Sequence, residues 1–131
     1  MNSFTPEPSF GGQGGLLKPD GNYQVSGMLW LELDGQRCFG PGRMQLLEGI
    51  AKTGSINKAA KEMGMSYKKA WTMIKELNKQ FTTPMVITQS GGEGGGGSAL
   101  TPAAKQLMEY YLSMRTRYRQ FLQEESAKLS G

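Results

Sequence analysis

The fold of this chain is decided by residues 55–80, which read SINKAAKEMGMSYKKAWTMIKELNKQ. Two helices joined by a short turn must cross closely, and the crossing needs small side chains such as those of Ala59 and Ala60. The turn needs a residue that tolerates a left-handed backbone, and Gly64 supplies one. Because these requirements are met together, the stretch predicts a helix-turn-helix.

The second of these helices, from the N-cap Ser66 to Gln80, has two faces of different chemistry. The predicted inward residues are Ala70, Met73, Ile74 and Leu77, joined by Met63 and Met65 beside the turn. The predicted outward residues are Lys68, Lys69, Thr72 and Lys75, with Tyr67 and Trp71 at the edge. A recognition helix inserts its N-terminal part into the DNA major groove, so we expect these outward residues to contact DNA. The alternative is an ordinary helical hairpin with no role in DNA binding.

The outward residue types suit different parts of a duplex. Lysine reaches guanine acceptors, and a helix N-terminus favours phosphate. Ser66 and Thr72 are expected to donate hydrogen bonds to phosphates or base edges, and Ser55, which caps the preceding helix, is included among the predicted contacts. Trp71 has a second interpretation, because its ring could instead cap the core between helices.

Positive charge is concentrated in the same part of the chain. The whole sequence has 15 lysines and arginines against 11 acidic residues, a net charge of +4. The segment from Lys52 to Lys79 alone contains seven lysines and two glutamates, a net charge of +5. A concentrated basic segment suits a polyanion such as double-stranded DNA, and the alternative is a solvated helical surface.

The chain before this segment divides into a tail, a hairpin and a helix. Residues 1–24 are rich in Gly, Pro, Ser and Asn, show no apolar period, and are expected to be mostly disordered. Asp34 and Gly35 are a strong turn signal between apolar runs. The predicted elements here are strands at Met28–Leu33 and Gln36–Phe39, a helix at Pro41–Thr53 with Gly54 as its left-handed cap, and a helix at Ile56–Met63.

A glycine-rich segment follows the helix-turn-helix. Gly91–Ser98 contains six glycines in eight positions, between predicted strands at Met85–Gln89 and Ala99–Leu100. A hairpin of this kind would be a wing, and its expected DNA contacts are Gly92, Gly94, Gly95, Gly96 and Ser98. Two alternatives are a G-x-G-x-x-G dinucleotide motif, which is weak because glycine fills nearly every place, and a flexible linker. The flanking strands favour the wing.

The last predicted helix begins at Thr101-Pro102 and extends to Lys128. Its apolar residues are spaced alternately by three and four positions: Ala104, Leu107, Tyr111, Met114, Tyr118 and Phe121. This heptad-like spacing predicts a homodimer through Leu107, Tyr111, Met114, Tyr118 and Phe121. The alternative is a helix folded entirely onto its own core.

Several classes of function are disfavoured by composition. The chain has no histidine and a single cysteine, Cys38, and its acids form no paired motif, so we expect neither an enzyme nor a metal or cofactor site. No apolar run is long enough to span a membrane, and the N-terminus lacks the order of a secretory signal. The lone cysteine suits a reducing cytoplasm. The remaining alternative is a protein-interaction or small-ligand-sensing module.

The sequence also resembles a known family. The matching residues are Thr53–Ile56, Ala59-Ala60, Met65–Trp71, Glu76–Asn78, Gly91–Gly97 and Leu100-Thr101, within roughly residues 26–122. This set resembles the N-terminal domain of ModE-type molybdate-responsive regulators, whose helix-turn-helix is shared with LysR-type regulators. The resemblance implies a dimeric winged-helix transcription regulator in which the third helix reads DNA, the glycine loop belongs to the wing, and the last helix helps form the dimer.

One departure from the family limits what the resemblance implies. ModE-type regulators carry molybdate-binding domains after the DNA-binding module, and we expect none of them in this chain. The expected fold is mainly α with small β, a winged helix-turn-helix. We expect it to be arranged as a tail at 1–24, a DNA-binding domain at 25–101, and a dimerisation helix at 102–131.

Overall fold

The computed structural model of the chain describes residues 15–89 and 97–129. Its elements, in chain order, are β1 (Leu31–Leu33), β2 (Gln36–Phe39), α1 (Pro41–Thr53), α2 (Ile56–Glu62), α3 (Tyr67–Lys79), β3 (Val86–Thr88), β4 (Ser98–Leu100) and α4 (Pro102–Ala127). The predicted fold class, mainly α with small β, is confirmed. The first 14 residues of the predicted tail lie outside the described residues, and residues 15–24 contain no helix or strand.

The first hairpin forms around its predicted turn but is shorter than expected. Asp34 has a φ of 51° and Gly35 a φ of 81°, the two positive values that a tight hairpin turn requires. β1 begins at Leu31 and not at Met28, so that part of the prediction is wrong. The physical reason is that Leu31 already pairs with Phe39, the last residue of β2, and leaves no partner strand for the residues before it.

α1 ends as predicted, because Gly54 adopts a left-handed φ of 71° and its N–H donates to the Ile50 carbonyl at 2.7 Å. The buried side chains of α1 are Met44, Leu46, Leu47 and Ile50. These side chains form a core with the inner faces of α2 and α3 and with the first turns of α4.

The chain divides into two compact units, residues 28–114 and residues 1–27 with 115–131. In the larger unit, the Tyr111 ring meets Phe39 edge-on with centroids 5.3 Å apart, and its hydroxyl donates to the Leu29 carbonyl at 2.8 Å. In the smaller unit, the Val25 backbone N–H donates to the Ser126 hydroxyl oxygen at 2.8 Å. No helix among the described residues is long and apolar enough to cross a membrane.

Candidate nucleic-acid interface

The helix-turn-helix closes through small side chains and one left-handed glycine. Ala59 and Ala60 are each only 1% exposed. Gly64 has a φ of 70°, a conformation that suits glycine because it has no Cβ. The backbone N–H of Met65 then returns to the Ala60 carbonyl at 3.0 Å, which closes the turn. The sequence prediction for this motif is confirmed.

Burial divides α3 into an inner and an outer face. The buried residues are Ala70, Ile74 and Leu77, with Met73 half-buried against them. On an α-helix of 3.6 residues per turn the opposite side carries Lys68, Thr72, Lys75 and Lys79, all of them exposed. Lys69 is also exposed, on one flank of this side. We call Lys68, Lys69, Lys75 and Lys79 the lysine face.

Two serines fix the starts of α2 and α3. The Ser55 hydroxyl oxygen accepts from the Lys58 backbone N–H at 3.1 Å, and the Ser66 hydroxyl oxygen accepts from the Lys69 backbone N–H at 3.1 Å. Both oxygens therefore cap helices, as predicted, and each hydroxyl keeps its own hydrogen for another acceptor. Ser66 is exposed, whereas Ser55 is half-buried.

Thr72 differs from its predicted role as a donor. Its hydroxyl already donates to the Lys68 carbonyl one turn earlier, at 2.9 Å. The expected donation from Thr72 to DNA stays a prediction, and it requires that this bond within the helix be given up. Its oxygen can still accept, which suits the amino group of adenine or cytosine.

The two aromatic residues of α3 are on the surface. Tyr67 is 51% exposed and Trp71 is 37% exposed, one helical turn apart on the flank opposite Lys69. Of the two interpretations of Trp71, this exposure supports the outward one. A partly exposed aromatic flank beside a lysine face offers an apolar contact to bases next to charged contacts to phosphates.

The base of the predicted wing is an antiparallel pair. Val86 faces Leu100, and Thr88 faces Ser98. The Ser98 backbone N–H donates to the Gly54 carbonyl at 2.9 Å, so the hairpin base is bonded to the end of α1. A Cβ on Gly97 would lie 3.3 Å from that same oxygen, which explains a glycine at this approach. The predicted wing contacts Gly92, Gly94, Gly95 and Gly96 lie outside the described residues.

Asn78 connects α3 to β3, and sequence reasoning assigned it no role. Its side-chain oxygen accepts from the backbone N–H groups of Met85 and Val86, at 2.8 and 3.1 Å. Its amide nitrogen donates to the Val86 carbonyl at 3.0 Å. On the other side of the strand, Thr101 donates to the Pro84 carbonyl at 2.7 Å. The only sequence signal for Asn78 was its place in the family resemblance.

Arg43 is the second residue that sequence reasoning missed. From α1 it reaches the Glu76 carboxylate of α3 at 2.7 Å, the Gln80 side-chain oxygen at 2.7 Å and the Cys38 carbonyl at 2.9 Å. Glu76 is the only acid in α3. A residue of α1 therefore holds the one acidic side chain of α3.

The described part of the chain was also compared with what a metal site or a reactive thiol requires. Within residues 15–89 and 97–129, no group of three or more His, Cys, Asp or Glu residues could hold a metal ion. Burial raises the pKa of the Cys38 thiol, and the positive charge of Arg43 opposes that rise. A buried thiol with a raised pKa is a poor nucleophile at neutral pH.

The predicted dimer residues lie in different surroundings along α4. Tyr111 is 1% exposed and belongs to the core of its own chain. Leu107, Met114 and Tyr118 are half-buried, and Phe121 is 53% exposed. Tyr110, which the heptad spacing did not include, is 54% exposed.

Comparison with known proteins identifies the helix-turn-helix. Residues 42–105 match the bacterial regulatory helix-turn-helix proteins of the lysR family. The molybdenum-pterin-binding protein MopB of Rhodobacter capsulatus is 44% identical over 81 residues, which are 62% of this chain and 30% of the relative. The transcriptional regulator ModE of Haemophilus influenzae is 40% identical over 107 residues, which are 79% of this chain and 42% of the relative.

A further relative is similar to about two thirds of this chain. The DNA-binding transcriptional dual regulator ModE of Escherichia coli K12 is 40% identical over 88 residues, which are 67% of this chain and 34% of the relative. The matches to these relatives thus span between 30 and 42% of the relatives' own length. The resemblance inferred from sequence is confirmed.

Proposed function

We propose that this chain, whose residues 42–105 match the lysR-type bacterial regulatory helix-turn-helix proteins, binds double-stranded DNA and regulates transcription. The observation that carries the proposal is the lysine face, four exposed lysines on a helix whose other side is packed against α2. Lysine is depleted at protein–protein interfaces and is the ordinary partner of phosphate. The relatives' names are those of regulators and of transport or binding proteins, which supports a role other than catalysis.

α3 is the proposed reader of the major groove. A recognition helix contacts base edges with its N-terminal residues, which here are Ser66, Tyr67, Lys68 and Lys69. Lys75 and Lys79 lie further along the helix and would contact phosphates along the groove. Ser55 lies half-buried at the start of α2, where its remaining hydroxyl hydrogen would donate to a phosphate.

The glycine-rich loop is the proposed wing. Its base is bonded to α1 through Ser98 and Gly54 and to α3 through Asn78. Such a base would hold the loop in a constant position relative to the reading helix. Glycines at the tip, Gly92 and Gly94 to Gly96, would let backbone amides approach a phosphate or enter the minor groove.

A homodimer through α4 is part of the proposal. It rests on the exposed aromatic side chains of Tyr110 and Phe121 and on the partly exposed Leu107, Met114 and Tyr118. Tyr111 is buried within its own chain and would support this surface from beneath. Aromatic residues that are half exposed on a long helix are typical anchors of protein interfaces.

We also propose a cellular compartment and a class of target genes for the protein. A regulator of transcription in a bacterium acts in the cytoplasm, and the single buried Cys38 is compatible with a reducing compartment. Relatives are named for molybdenum transport and for binding molybdenum pterin, so we propose target genes connected with molybdenum. That link rests on the relatives' names.

The first experiment selects bound sequences from random duplex DNA. We expect a palindromic product, because a two-fold symmetric dimer places two equal reading helices on one duplex. Binding to that product should weaken with salt, with a log–log slope of about −0.9 for each phosphate neutralised. No enrichment of any sequence above the input, with a folded protein, would contradict specific DNA binding.

The second step of this test identifies the reading helix. Lys68→Ala and Lys69→Ala should each weaken binding to the selected sequence by about 1–3 kcal/mol if the lysine contacts a base. Lys105→Ala, which removes an exposed lysine from the first turn of α4, serves as the matched control and should have little effect. If both α3 variants bind as tightly as the control, α3 is not the reader.

A further inference from the structure

One acidic side chain of α3 could neutralise part of the lysine face. Glu76 is the only acid in the helix, it follows Lys75 directly, and it precedes Lys79 by three positions. A glutamate three or four positions before a lysine is well placed for an ion pair on the helix surface. Left to itself, the Glu76 carboxylate would therefore neutralise Lys79 and repel a neighbouring phosphate.

Arg43 holds this carboxylate as one of three acceptors. One terminal nitrogen of the guanidinium donates to Glu76 at 2.7 Å. The other donates to both Gln80 and the Cys38 carbonyl, at 2.7 and 2.9 Å. The planar fork of arginine serves acceptors from three directions at once, whereas a lysine is a flexible point charge. The Arg43 side chain is only 16% exposed, so it is held against the protein, while that of Glu76 is 56% exposed.

We propose that Arg43 is a positioning residue for DNA binding, which keeps Glu76 away from the lysine face so that all four lysines remain available to phosphates. Arg43 acts through Glu76 and does not itself contact DNA. The inference rests on the proposed function and adds a residue of α1 to the determinants of binding by α3.

The size of the effect follows from counterion release. If Arg43 is replaced by Met, the freed carboxylate pairs with Lys79, and one fewer phosphate is neutralised. The log–log salt slope should then become shallower by about 0.9, which corresponds to an affinity about eightfold weaker at 0.1 M salt. The difference between the two proteins should shrink as the salt concentration rises, because exposed charges are screened.

The test is a double-mutant cycle measured by fluorescence anisotropy on the selected duplex. The proteins are the parent, Arg43→Met, Glu76→Gln, and the double variant Arg43→Met with Glu76→Gln. We expect Arg43→Met to bind about eightfold more weakly at 0.1 M salt, and the double variant to recover the parent's salt slope. Glu76→Gln alone should change the affinity by less than about twofold, because Arg43 already engages the carboxylate.

The rescue separates positioning from folding. The Glu76→Gln change does not restore the bonds from Arg43 to Gln80 and to the Cys38 carbonyl, so a loss that came only from a damaged fold would persist in the double variant. Glu125→Gln is the control, since it removes an acid that is also ion-paired, to Lys128 at 2.8 Å, and raises the net charge equally. If Arg43→Met fails to fold, Arg43→Gln provides the test, because its side chain is also uncharged while its amide can still donate a hydrogen bond. Its salt slope should be as shallow as the one expected for Arg43→Met.

Three results would overturn the inference. The first is a double variant that binds no better than Arg43→Met. The second is that Glu76→Gln raises the DNA affinity by the same factor in the parent and in Arg43→Met. An equal increase would be an effect of net charge alone. The third, in the Arg43→Gln protein, is a salt slope equal to the parent's. Failure of the parent itself to bind any duplex would instead contradict the proposed function.

Discussion

At the scale of single residues, the sequence predicted the serines that cap helices. It did not predict the side chains that bond from one element to another. Ser55 and Ser66 cap helices through contacts three positions along the chain, and such contacts are encoded by local sequence. Asn78 bonds to residues seven and eight positions away, beyond the end of α3. Arg43 bonds to residues 33 and 37 positions away. A pattern within one helix contains no information about such partners.

Asn78→Ala tests the bridge between α3 and the wing. The change removes three hydrogen bonds that the side chain makes with the backbone N–H groups of the buried Met85 and Val86 and with the Val86 carbonyl. We expect the free energy of unfolding to fall by about 2–3 kcal/mol, because unsatisfied buried polar groups are costly. Urea unfolding measures this. Asn57→Ala, at an exposed position of α2, is the control and should stay within about 0.5 kcal/mol of the parent.

The stability and the DNA affinity of Asn78→Ala test two different roles of Asn78. If Asn78→Ala is as stable as the control variant, the bridge contributes nothing to folding. If it is less stable but binds DNA with unchanged affinity once folded, the bridge does not position the wing. We expect both stability and affinity to fall.

At the scale of elements, boundaries followed turn chemistry wherever glycine or proline was present. α1 ends at Thr53 before Gly54, and α4 begins at Pro102 after the capping Thr101. The start of β1 was missed, because a strand needs a partner, and pairing with β2 is exhausted at Leu31. Hydrophobic pattern predicts where a strand is possible, while the ladder decides how far it extends.

Gly54→Ala tests the joint between α1 and the wing base. Gly54 has a φ of 71°, which costs a residue with a Cβ about 1–2 kcal/mol. Its carbonyl also accepts from Ser98, so distortion here should reach β4. We expect a loss of about 1–2 kcal/mol in the free energy of unfolding, measured by urea titration.

Gly42→Ala is the matched control for that substitution. A Cβ at Gly42 meets no atom within 4 Å, and the residue lies in the first turn of α1. Alanine is the better helix former, so this variant should be as stable as the parent or more stable, by up to about 1 kcal/mol. Equal effects of the two substitutions would contradict the left-handed requirement at residue 54.

At the scale of the whole molecule, the proposed dimer depends on which apolar residues of α4 the chain's own core leaves exposed. The heptad spacing predicted an interface that includes Tyr111, whereas the structure buries Tyr111 against Phe39 and exposes Tyr110. Periodicity along a helix identifies an apolar stripe. It does not tell whether the chain's own core or a second copy covers each residue.

The dimer proposal is tested by sedimentation at micromolar concentration. We expect the parent to sediment as a dimer, and Tyr110→Ser and Phe121→Ser each to shift the equilibrium toward monomer, because each removes an exposed aromatic side chain. Gln106→Ser, at another exposed position of α4, should remain dimeric. A monomeric parent would contradict the dimer, and dimeric aromatic variants would contradict the role of those two residues.

The sequence by itself determined the order of the elements, the helix-turn-helix, its caps and the positive charge of α3, because these depend on residues a few positions apart. It also contained the family resemblance, through short motifs of neighbouring residues. Only the tertiary structure decided that Arg43 engages Glu76 and that Asn78 bonds to β3 and the residue before it. Those outcomes depend on which polar groups the folded backbone and its packing bring within hydrogen-bond distance. That distance is a property of the folded chain and not of the order of its residues.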